Sequence, residues 1–210
     1  MLLTTLIIRR RYSLKKWLVL ASLFVVAVGI TVFGFILPAL PSEPILAQGK
    51  GIKVTAERFI DTKQNFALAQ SMLGGEQSEP TDQELLEQLL ISELLLSQAK
   101  SKGLTATEEE VNGFIEEQRK MLRGSDQHEM IALMDERIRL SGMDEDSFWQ
   151  DKTTKDAYRE AIISGKLPKH LINEGEITGW DDFASYQKKL LQANINSIKV
   201  NWDVLENTER

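Results

Sequence analysis

Two histidines, His128 and His170, and no cysteine are all that this sequence offers for imidazole or thiolate chemistry. A catalytic triad or a metal site needs further ligands or partners close by, and the two histidines lie in separate segments. The carboxylates are more numerous. Glu108-Glu109-Glu110 and Asp181-Asp182 stand together, but three consecutive carboxylates at a helix start cannot face one point, and their attraction to the positive helix end accounts for them. No catalytic residue, cofactor or metal is therefore expected. The remaining chemistry is apolar. Four of the six methionines, Met121, Met130, Met134 and Met143, fall within 23 positions, beside Phe148 and Trp149. Flexible thioethers suit adaptable surfaces that accept varied partners, although a spacing such as Met130 to Met134 describes core packing equally well.

These residues need helices to place them. Thr81-Asp82-Gln83-Glu84 is a capping box, and Leu85, Leu86, Leu89, Leu90, Ile91, Leu94, Leu95, Leu96 and Ala99 follow it. So wide an apolar surface predicts a central helix buried against several partners, closed by a left-handed Gly103. Thr107 to Glu110 repeats the capping logic, with a stripe of Val111, Phe114, Ile115 and Leu122 that ends at Gly124. A third unit runs from Ser125 or Asp126 to Gly142. A fourth starts near Asp144 and carries Phe148, Trp149, Tyr158, Ile162, Leu167 and Leu171, with Pro168 as a break or kink. An earlier helix begins near Thr55 with Phe59, Phe66 and Leu73, and Thr178 is placed to cap a last one with Trp180, Phe183, Tyr186, Leu190 and Leu191. The period then changes to two, with Ile198, Val200, Trp202 and Val204 alternating with polar residues, which predicts a strand. Its expected partner is Ile52 to Val54.

The first forty residues differ from the rest. Arg9, Arg10, Arg11, Lys15 and Lys16 form a basic tail over 1–16, which leaves the remainder of the chain at −11 out of a net −6. From Trp17 to Leu37 the chain is strongly apolar for 21 residues, roughly 31 Å as a helix and enough to cross a bilayer. Residues 17–40 are thus expected to be a transmembrane helix, with the tail in the cytoplasm and the bulk of the chain outside it. A cleaved signal peptide, with Ile45-Leu46-Ala47 before Gln48 as the cut site, is the competing reading. Residues 41–51, rich in Pro and Gly, read as a linker that reaches about 16–19 Å, and 52–205 as one domain. The acidic domain argues against a nucleic-acid partner.

The stretch from Leu85 to Val111 resembles the core of the SurA N-terminal domain, shared by the SurA and PrsA exported foldases. The carrying pattern is the leucine-rich helix ending in Ala99-Lys100-Ser101-Lys102-Gly103, a short turn, and Thr107-Glu108-Glu109-Glu110-Val111. Gly142-Met143-Asp144-Glu145-Asp146-Ser147-Phe148 is similar to the family's Gly-acidic-acidic-Phe helix start, so the likeness covers roughly residues 50 to 175. Gly51-Ile52-Lys53-Val54-Thr55 matches the family's opening strand only loosely. The 36 residues after Glu174 are too few for the separate parvulin domain of the family's prolyl isomerases, so no catalytic residue carries over.

The resemblance implies a mainly α fold, in which a small two-stranded element pairs the N- and C-terminal ends of the helical domain. It also implies a membrane-anchored chaperone-like protein that holds unfolded or partly folded exported polypeptides without catalysis. Met121, Met130, Met134, Met143, Phe148 and Trp149 are then the candidate polypeptide-binding residues. A scaffold or assembly partner dedicated to one membrane or envelope protein is the alternative, and the oligomeric state is open.

Overall fold

The computed structural model describes residues 44–73, 80–124 and 128–206. The basic tail 1–16 and the apolar segment 17–40 lie outside the described residues. Among the described residues no helix is long and apolar enough to cross a membrane.

The chain begins its fold earlier than the expected linker allowed. Ile45–Gly49 is a strand (β1), and Ile52–Thr55 (β2) returns antiparallel to it with Gly49 opposite Ile52. Lys50 and Gly51 both take positive φ, 51° and 78°, the geometry of the two-residue hairpin turn whose twist suits paired strands. The Gly-Lys-Gly run that suggested a linker is therefore this turn, and Leu46 and Ala47 are fully buried. The domain starts at Ile45 rather than 52.

The C-terminal strand is a second correction. Only Lys199–Val200 (β3) is extended, and it pairs with β1 rather than with 52–54, so the sheet has three strands in the order β2-β1-β3. A bulge between Ile45 and Ala47 shifts the register of β1 against β2. The Asn201 N–H makes a last bond to the Leu46 carbonyl at 2.8 Å, and the chain then coils into a short helix, Asp203–Glu206.

The rest is mainly helical. Ala56–Leu73 (α1) starts where Thr55 Oγ1 accepts from the Arg58 N–H. Asp82–Ser101 (α2) carries the expected reciprocal cap, with Thr81 N–H donating to Glu84 Oε2 at 2.8 Å and Glu84 N–H to Thr81 Oγ1 at 3.2 Å. It ends at Gly103 with φ 75°. Leu85, Leu86, Leu89, Leu90 and Leu94 pack under the sheet with Phe59 and Ile198, while Leu95, Leu96 and Ala99 meet Ile163, Leu167 and Leu171. The central position predicted for this helix follows from that division. Thr81→Ala is expected to cost about 1 kcal/mol of stability, the usual value of a lost N-cap, measurable as a lower urea midpoint at unchanged m.

Glu108–Gly124 (α3), His128–Ser141 (α4), Glu145–Gln150 (α5) and Lys152–Asn173 (α6) follow. The fourth predicted unit is thus two helices. Asp151 ends the first and caps the second, its carboxylate accepting from the N–H groups of Thr153 at 2.8 Å and Thr154 at 3.1 Å. Pro168 does not break α6, which runs on to Asn173 with the proline buried; it costs the helix the bond to the Ser164 carbonyl. The last expected helix begins after a tight turn over Trp180–Asp182, held by Asp182 accepting from Thr178, and occupies Phe183–Asn194 (α7).

Hydrogen bonds and cations at helix ends hold Glu84, Glu110, Asp144, Glu174 and Asp182 below the ordinary carboxylate range, chiefly through Thr81, Lys166, Ser147, Lys102 and Thr178 respectively. Such groups stabilise the fold above their unfolded pKa and lose that contribution as pH falls. Glu93, half-buried against Arg58, has the opposite sign, because desolvation raises it despite the cation. The lowered groups outnumber it. The urea midpoint is therefore expected to stay level from pH 7 to about 5 and then to fall between about pH 4.5 and 3.

Candidate functional site

α3 reaches α5 through charges. Arg119 donates to Asp146 at 2.6 Å and Glu145 at 3.2 Å, with Glu116 at 3.5 Å, and Arg123 reaches Glu145 at 3.1 Å. Beneath them Val111, Ile115, Phe148, Trp149 and Tyr158 form one buried cluster. The Phe148 and Trp149 rings meet edge-on with centroids 5.3 Å apart, and Trp149 lies 6.0 Å from Tyr158. Burial pushes the Tyr158 phenol up to about 12, while neighbouring Arg137 pulls the other way.

Between α3, α4 and α5 this arrangement leaves a cavity of about 190 Å³. Leu122, Ile131, Met134, Ile138 and Trp149 line it with apolar surface. Arg119, Arg123, Asp135 and Glu145 supply its polar edge. Trp149 is only 1% exposed, and its indole N–H has no hydrogen-bond partner among the described residues. Nor has the Nε–H of Arg119.

No protein-family model, no curated protein and no solved structure matches this chain.

The six residues singled out from the sequence separate into three groups. Phe148 and Trp149 are both buried rather than a free surface; Trp149 lines the cavity, and Phe148 packs behind it outside the lining. Met134 lines the cavity and, like Met143, packs half-buried on the aromatic cluster. Met121 is exposed, and Met130 is half-buried at the start of α4, outside the cavity lining. Arg119, Arg123, Ile131, Ile138 and Glu145 were missed. Ile131 and Ile138 flank Met134 at a spacing of three and four residues on α4, a signal available in the sequence; nothing marked the two arginines.

The acidic triplet forms the first turn of α3. Glu110 closes a cap with Thr107 and also accepts from Lys166 at 2.6 Å, while Glu108 pairs with Arg159, so both fasten α3 to α6. His170 sits 3.0 Å from Glu174 one turn along α6. His128 is exposed at the start of α4.

Proposed function

We propose that this chain is a membrane-anchored, chaperone-like protein that binds unfolded or partly folded exported polypeptides and performs no covalent chemistry. The observation that carries the reading is the open cavity between α3, α4 and α5, floored by aliphatic side chains with Met134 and edged by charge. Apolar recesses with a few polar groups at the edge are the usual form of a binding site, and a thioether among the lining groups lets one recess fit several side chains. The likeness of residues 85–111 and 142–148 to the SurA N-terminal domain supports the same reading. Retention of the apolar segment 17–40 as an anchor gains support from β1. A cut before Gln48 would remove Leu46 and Ala47, both fully buried, from the middle strand of the sheet.

The test uses the full chain reconstituted in nanodiscs. An unrelated protein diluted from denaturant should aggregate more slowly, as read by light scattering, in its presence at equimolar amounts than beside empty nanodiscs. No slowing would defeat the general chaperone reading and leave the dedicated assembly partner, for which a single membrane or envelope protein should be recovered on affinity purification.

A further inference from the structure

The two buried N–H groups at the cavity carry the reading further. Trp149 and Arg119 both line it, and each has a nitrogen donor without an acceptor. A buried unpaired donor carries a desolvation penalty that a bound acceptor removes. The acceptor is constrained by what already surrounds the arginines. Glu116, Glu145 and Asp146 pair with Arg119 and Arg123, and Asp135 lines the same cavity, so carboxylates outnumber guanidiniums at this edge. An incoming carboxylate would meet like charge, and a neutral carbonyl would not. Size points the same way, since a cavity of about 150 Å³ lined by aliphatic and aromatic groups accepts benzene and this one measures about 190 Å³. It holds one side chain, not a folded element.

We propose that the groove seats a single Leu, Met, Ile or Phe side chain of an extended polypeptide, whose neighbouring backbone carbonyls accept from the Trp149 indole N–H and the Arg119 Nε–H, and that acidic residues flanking the anchor are rejected. This rests on the polypeptide-binding reading above and gives it a recognition rule. Both donors are buried, so docking requires α4 to ease outward. Its packing permits this, because α4 rests chiefly on α1 and touches α3 and α5 in few places.

The experiment titrates the full chain in nanodiscs with fluorescent ten-residue Gly/Ser peptides carrying one central Leu, read by anisotropy. Replacing that Leu by Ser, or flanking it with Asp, should weaken binding at least tenfold. Met134→Trp and Leu122→Trp each fill the groove and should do the same. Two such variants are used so that one that misfolds, seen by circular dichroism, leaves the other. Trp180→Ser, at an exposed position outside the groove, should bind as the parent does. The chain has four tryptophans, so its ¹⁵N-indole resonances are few. The signal missing in Trp149→Phe should move downfield when the Leu peptide is added to the parent chain. Unaltered binding by both filled variants, or binding with the Trp149 indole signal unmoved, overturns the groove while leaving the chaperone reading intact. Aggregation suppression without binding of the Leu peptide does so too. Absence of both peptide binding and aggregation suppression defeats both.

Discussion

Replacing Trp149 with alanine is expected to remove about 3–5 kcal/mol of stability, at the upper end of what one core truncation does. The side chain is 1% exposed and fills the space between Phe148 and Tyr158, so its loss takes away both the apolar burial and two aromatic contacts. The neighbours have little means of closing the gap. Phe148 is fixed on the same short helix, Tyr158 on the long α6, and the new void opens directly into the existing groove. For a domain whose whole stability is expected to be about 5–15 kcal/mol, this is a large share. Urea unfolding followed by far-ultraviolet circular dichroism measures it, with Trp149→Phe as the companion. The phenylalanine variant retains most of the ring and relieves the orphan N–H, so it should lose much less. Equal losses from the two would mean that ring burial is not what holds α5 in place.

The second large effect is expected at Gly49. A Cβ placed there would sit 2.1 Å from the Ser197 carbonyl oxygen and 3.0 Å from the Ile198 Cα, both backbone atoms that cannot swing aside, at a φ of +153° that side chains rarely adopt. Gly49→Ala should therefore cost about 2–5 kcal/mol from overpacking and backbone strain together. Gly51→Ala is the control, because it shares a positive φ of +78° but has open space around the new methyl, and about 1 kcal/mol is expected there. Hydrogen exchange distinguishes the mechanism. In Gly49→Ala the Asn201 amide, which bonds to Leu46, should lose protection, whereas in Gly51→Ala it should keep it. Similar melting temperatures for the two variants would mean that the close approach of Gly49 to Ser197 does not contribute.

Sequence patterns located the helices better than the sheet, for reasons that particular residues make clear. α2 announced both its ends, since Thr81 and Glu84 cap it reciprocally and Gly103 takes the left-handed turn; these are local signals that need no tertiary partner. α5 and α6 merged in the reading because Asp151, which separates them, looks like any acidic residue on a helix face until its carboxylate is seen accepting from Thr153 and Thr154. β1 was hidden in a segment whose Pro and Gly residues mark turns. Its three apolar residues are too few for a periodicity, and only pairing on both sides makes them a strand. The opposite error occurred at the C-terminal side. Ile198 to Val204 alternate faultlessly, yet their pairing with β1 goes no further than Asn201, and a helix begins at Asp203. Trp202 instead sets its ring edge-on to Phe59, 6.1 Å away, and Val204 turns back onto the core in a helical turn.

The candidate site was legible as a region and not as a surface. The cluster of methionines and aromatics marks where α3, α4 and α5 converge, but composition cannot tell which side of a helix faces its neighbour. Phe148 therefore proved to be core, and Trp149 shares the lining with Ile131, Ile138 and the arginines. The acidic triplet shows the converse: its place at a helix start was legible, and the ion pairs of Glu108 and Glu110 to α6 were not.

The position of β1 in the middle of the sheet sets a timetable for the molecule's synthesis. β1 is among the first parts of the domain to be made, and it pairs at once with β2, but its other edge waits for Lys199 and Val200, about 150 residues downstream. At translation speeds of about 5–20 residues per second that interval is roughly 8–30 s, during which the backbone groups of Leu46 and Gln48 on that side stay unpaired. A strand edge left open for so long is a place where other nascent chains can pair.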